Sequence, residues 1–188
     1  MPRSPTVATV PGYEHELTGF TKTLLQNLVS AKHELIMQTG IIKEIMIIRK
    51  KGGPRESIRE GFFSVGFGLE GDIHGGPGDK QVVFFGVEGR DRLSESKETG
   101  LCFKRFVPTL ATEGIDLFKL PVGTRLKIGS SIMEISRVGK KCYPECVLVK
   151  AKTPCVMPRE VVFARVEKSG LVRVGDKIQM VEGIVPTV

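Results

Sequence analysis

Residues 124–138 read TRLKIGSSIMEISRV, two short strand-type runs that meet at Gly129–Ser130. Glycine supplies the positive φ that a tight hairpin turn demands, so the stretch predicts two antiparallel neighbours. The same grammar extends in both directions. Upstream stand IIKEIMII (41–48), GFFSVGF (61–67) and KQVVFF (80–85); downstream stand CVLVK (146–150), VVFARVE (161–167) and KIQMV (177–181). Rich in Ile, Val and Phe and bounded by glycine-bearing turns, these runs predict about eight strands. SGLVRVGD (169–176) reads as a turn before the last strand, and only DRLSESKET (91–99) reads as a short interior helix. Strands without alternating helices predict a mainly β fold, a barrel or curled sheet rather than βαβ units.

Residues 14–38 follow a different period. Leu17, Phe20, Leu24, Leu25, Leu28 and Leu35 make one apolar stripe, with Pro11–Gly12 before it and Gly40 in C-cap position. This predicts an amphipathic helix, and a boundary near residue 40 divides the chain into an N-terminal helical extension (1–40) and a β domain (41–188). The stripe packs on its own domain or on a second copy, which makes a homodimer through this helix an expectation to test.

The 188 residues, 40% of them apolar, suffice for one core. No run approaches the roughly 18 apolar residues of a membrane span, and MPRSPTVATVPGYEHE lacks the apolar run of a signal peptide, so a cytoplasmic protein is expected. In a reducing compartment the four cysteines are thiols, to be read as packed, reactive or metal-binding. The net charge of +7 favours anionic partners. Nucleic acid is not expected among them, because base-stacking surfaces need exposed aromatics and the chain has no Trp and only two Tyr.

Two constellations carry chemistry. The first is LEGDIHGGPGDKQVVFF (69–85), which runs from strand to strand and so matches neither dinucleotide nor P-loop geometry. Asp72 and His74, two apart on its tight loop, read as an orienter and a proton-transfer group, or as a turn-stabilising Asp beside a surface His. The second is Cys142, Cys146 and Cys155, set in a segment (140–159) with five Lys or Arg and one Glu. Lys140, Lys141 and Arg159 beside thiols favour the nucleophilic thiolate. One cysteine then attacks or carries sulfur while a second resolves the intermediate; the alternative is that Cys146 and Cys155 are small core hydrophobes. Structural zinc favours CxxC pairs that are absent here, and no metal ligand set is assigned. Cys102, in GLCFKRF, reads as core.

The ordered series GLEGDIHGG, KQVVFF, TEGIDLFKLPVGTRLKIGSSIMEISRVGKKC and VVFARVEKSGLVRVGDKIQMVE resembles the MOSC family, named for the C-terminal domain of molybdenum-cofactor sulfurases, over about residues 41–182. The continuation GKKCYPEC…CVMPRE resembles small stand-alone bacterial members with several cysteines. The resemblance implies a barrel of mixed strands like that of the pyruvate-kinase barrel domain, and sulfur transfer linked to the molybdenum cofactor or other metal–sulfur chemistry. A sulfurtransferase, other carbon–sulfur chemistry through a thiolate, and a non-catalytic molybdopterin-binding or delivery module all remain open under it. By position it puts the family's GDxH element on Gly71, Asp72 and His74, its glutamine on Gln81 and its signature cysteine on Cys142, with Cys146 the choice of a shifted alignment. Pro108 and Thr109 stand where the family has Glu-Asn, whereas Gly114, Ile115 and Asp116 match. The expected site is therefore catalytic Cys142, His74, Cys146 and Cys155, with Asp72, Gln81, Thr109, Lys140, Lys141 and Arg159 around an anionic or pterin ligand. A cysteine desulfurase or a molybdoenzyme is the implied partner.

Overall fold

The computed structural model of the chain describes residues 39–94, 100–103 and 106–181. The expected N-terminal helix, and with it the dimer expectation, lies outside them. The expected domain boundary adjoins the first described strand, β1 (Gly40–Ile47).

Beyond β1 come β2 (Glu56–Ile58), β3 (Glu60–Ser64), β4 (Gly68–Leu69), β5 (Val82–Gly86), helix α1 (Val87–Ser94), β6 (Leu110–Glu113), a 3-10 turn (Leu117–Lys119), β7 (Arg125–Ile128) and β8 (Ser131–Val138). Then follow the one-turn helices α2 (Val147–Lys150) and α3 (Met157–Glu160), and strands β9 (Val162–Lys168), β10 (Gly170–Arg173) and β11 (Lys177–Met180). Seven strands close a barrel in the order β1, β6, β5, β9, β8, β7, β11, with β11 returning to pair with β1 at Gly40↔Ile178. Every seam is antiparallel except β5–β6, where Phe84 faces Leu110 in parallel. A separate sheet, β10-β3-β4, stands outside that ring.

The quoted hairpin is β7–β8, paired from Arg125↔Glu134 to Ile128↔Ser131. Along β8 the period of two puts Ser131, Met133 and Ile135 inside; Leu126 and Ile128 of β7 meet them there with no exposed surface. Ile42 and Ile45 of β1, Phe84 of β5 and Ala164 of β9 belong to the same buried set. Closure removes the open edges that a curled sheet would leave.

Several readings along the chain need correction. CVLVK is not a strand: Lys150 N–H donates to Cys146 O at 3.0 Å and Ala151 N–H to Val147 O at 2.8 Å, closing one helical turn. With Val147 and Val149 exposed and Cys146 and Leu148 buried, the β-branched residues find no sheet partner, and local hydrogen bonding prevails. SGLVRVGD is not merely a turn, because Gly170–Arg173 pairs with β3. LATE (110–113) escaped the pattern because Leu110, Ala111 and Thr112 are all buried, which erases the alternation. GFFSVGF stops at Ser64, where Phe67 N–H donates to Ser64 O at 3.2 Å and Gly66 takes φ +77. The interior helix begins at Val87, four residues earlier than expected, and residues 95–99 lie outside the description.

Candidate functional site

The GDxH loop leaves β4 through Gly71, whose φ of +80 lets the chain fold back under itself. Asp72 holds that fold. Its Oδ2 accepts the Ile48 N–H at 3.1 Å and its Oδ1 accepts the His74 N–H at 2.7 Å, with the carboxylate only 9% exposed. The His74 ring, 73% exposed, sets Nδ1 3.1 Å from the same Oδ1. Asp72 and His74 are thus in contact on the loop. Gln81 spends its Oε1 on the Val166 N–H at 2.9 Å, tying the entrance of β5 to β9. Thr109 accepts the Val83 N–H on its hydroxyl at 3.3 Å.

The cysteines assemble elsewhere. After β8, Gly139 (φ +83) turns the chain and donates its N–H to Val161 O at 2.7 Å. The 139–146 loop is thereby anchored beside α3. Cys146 N–H then donates to Tyr143 O at 3.1 Å, and Cys146 occupies the N-cap position of α2. Cys155 lies just before α3 and packs, together with Cys102, against the buried cluster of Phe85, Met157 and Val161. All four thiols are free, and all four wall one cavity of about 100 Å³, with Phe103, Leu148 and Met157 supplying apolar surface. Cys102, expected as mere core, is half-buried and accepts the Lys140 Nζ at 2.9 Å. A second hollow of about 380 Å³ shares Cys102 and Tyr143 with the first and has Lys140 on its wall. None of Asp72, His74, Gln81 or Thr109 is among the described walls of either.

The thiols are not electrostatic equals. Cys142 is pushed above its ordinary 9.0, chiefly by burial and then by the neighbouring Cys155 sulfur, against the pull of Lys140. Burial likewise pushes Cys155 up. Cys146 is held below 9.0, first by the Leu101 N–H facing its sulfur, then by the N–H groups of Leu148 and Val149 and by the Lys140 charge. No cap hydrogen bond closes in strict geometry; these groups act through their field. The surroundings of Cys142 and Cys146 thus act on the two thiols with opposite sign. Lys140 also stands 5.5 Å from the Tyr143 ring centroid, a cation–π approach. Lys141 is exposed to solvent, and Arg159 is tied to the buried Glu160 at 2.9 Å, which Arg92 also binds at 2.5 Å.

Among the described residues, no three His, Cys, Asp or Glu side chains converge as a metal site. Nor does the cysteine cavity suit a whole molybdopterin. Small-molecule pockets generally run from ~300 Å³ upward, well above the cysteine cavity. The larger hollow offers, among its described walls, one ammonium and one phenol, with no carboxylate or amide to read a pterin edge.

The sequence profile of the MOSC domain matches residues 70–179, more than half of the chain, and the protein belongs to the MOSC domain family. Its barrel is similar to that of the YuaD protein from Bacillus subtilis: TM-score 0.59 at 18% identity, covering 74% of this chain and 94% of that one. YiiM from Escherichia coli is also similar, with TM-score 0.51 at 14% identity over 79% of this chain and 71% of that one. At these identities the likeness concerns the fold. A comparison with curated proteins finds no match. No helix among the described residues is long and apolar enough to cross a membrane.

Cys102 is the site residue that sequence reasoning missed. It lies 40 positions from Cys142, outside any ligand-type spacing, and only the adjacent cations of GLCFKRF hinted at more than packing.

Proposed function

We propose that this MOSC chain is a cysteine-dependent sulfur carrier, with Cys146 as the sulfur-accepting thiolate. The observation that supports this reading is the convergence of four free thiols on one small cavity. In the loading step the Cys146 thiolate attacks the terminal sulfur of a donor persulfide, R–S–SH. The Cys146–S–SH bond forms, the donor S–S bond breaks, and R–S⁻ departs. The cavity suits such cargo, since an added sulfur needs about the room of one or two waters, ~30 Å³ each. Phe103, Leu148 and Met157 limit the access of water to it. Cys142 and Cys155, both held toward the protonated form, serve mainly as soft, polarizable wall.

A cysteine desulfurase is the proposed donor, and the recipient is a metal–sulfur centre of the molybdenum-cofactor kind carried by another protein in a reducing compartment. The small cavity favours a carrier over a holder of the whole cofactor. A second reading, a module that binds an anionic ligand without turnover, draws on the larger hollow with Lys140 and Tyr143. Incubation with a desulfurase and cysteine, followed by mass spectrometry of non-reduced peptides, separates the two. One added sulfur is expected on the Cys146 peptide, reduced roughly tenfold or more in Cys146→Ser. Full loading in that variant, on any other cysteine, would refute the assignment; no persulfide at all would favour the binding module.

A further inference from the structure

A carrier must also let its sulfur go. We propose that Cys102, with Lys140 beside it, is the thiol that resolves the Cys146 persulfide; the assignment rests on the carrier reading. Both residues line the same cavity. The Cys146 sulfur faces the N–H of Leu101, the residue next to Cys102 in the chain. The Lys140 ammonium, 2.9 Å from the Cys102 sulfur, also acts electrostatically on Cys146. Cys102 alone of the four thiols also borders the larger hollow together with Lys140, which gives a departing anion a route outward past a cation.

The step balances. The Cys102 thiolate attacks the inner sulfur of Cys146–S–SH; a Cys102–Cys146 disulfide forms, the persulfide S–S bond breaks, and HS⁻ leaves with the electron pair. Two thiol sulfurs are oxidised while one sulfane sulfur is reduced to sulfide. An external dithiol then reduces the disulfide and restores both thiols. When an acceptor metal centre takes the sulfide directly, the same disulfide remains behind. Lys140 acts through Cys102 and is a positioning residue, its ammonium facing first the attacking sulfur and then the departing anion.

The test is a single turnover of persulfide-loaded protein without reductant, with released sulfide measured and the disulfide mapped after acid quench and alkylation. The expected product is a Cys102–Cys146 disulfide in step with sulfide. Cys102→Ser, and Cys102→Ala as a second variant should serine perturb the packing, should accumulate the Cys146 persulfide and release sulfide roughly tenfold more slowly. Lys140→Met should slow release, and Lys140→Arg should restore much of the rate. A disulfide from Cys146 to Cys142 or Cys155, or wild-type release by both Cys102 variants, would overturn the assignment and leave the carrier reading intact. A loaded protein that carries no sulfur on Cys146 would end both.

Discussion

Cys142 and Cys146 stand four positions apart, yet their surroundings act on them with opposite sign. Burial raises Cys142, whereas backbone N–H groups lower Cys146 although only 7% of its surface is exposed. The expected consequence is an ordered reactivity. In alkylation with iodoacetamide followed by peptide mass spectrometry across pH, Cys146 should react with a midpoint below 9.0, and Cys142 and Cys155 with midpoints above it. The stability signs follow from the same shifts. Cys146, lowered on folding, contributes stability that grows as pH rises through its folded value and is complete above 9.0; it is lost as pH falls. Cys142 and Cys155, raised on folding, contribute stability that is present below 9.0 and lost as pH rises through their folded values. The sequence made the three thiols visible through their number and their basic setting. It did not order them, because the deciding N–H groups include that of Leu101, remote in the chain and brought close only by folding.

At the scale of elements, the segment from Gly139 to Glu160 supplies three of the four cysteines that wall the cavity. Gly139 holds φ +83 with an N–H committed to Val161, and a side chain there would run into Pro158 O. Gly139→Ala is therefore expected to cost about 3 kcal/mol, from positive-φ strain plus the displaced contact, and to weaken persulfide loading. Urea unfolding measures the first and peptide mass spectrometry the second; an unchanged stability would mean that the loop is not anchored as described. Most barrel strands were readable from their short β-branched and aromatic runs. CVLVK was not, since five apolar-rich residues satisfy strand and helix patterns alike and the choice lay in where backbone partners were available. LATE was lost for the converse reason: a strand buried on both sides shows no alternation.

For the whole molecule the decisive event is closure of β11 on β1. Ile178 is fully buried there, opposite Gly40 on one side and Ile128 on the other. Ile178→Ala should lower unfolding stability by about 3 kcal/mol without changing the denaturant slope, as expected for a cavity in a barrel that still closes. A reduced slope would signal an opened sheet instead. The mainly β class and the placing of most strands followed from the sequence alone, because a period of two and glycine at tight turns are local properties of the chain; the family followed from the resemblance carried by the order of its motifs. What only the tertiary structure decided is which thiols meet and in which direction the surroundings of each push its ionisation. Cys102 comes from a segment remote in the chain from the one that carries Lys140 and Cys146, and a thiol's charge state depends on burial and on donors through space, neither of which is written in sequence spacing.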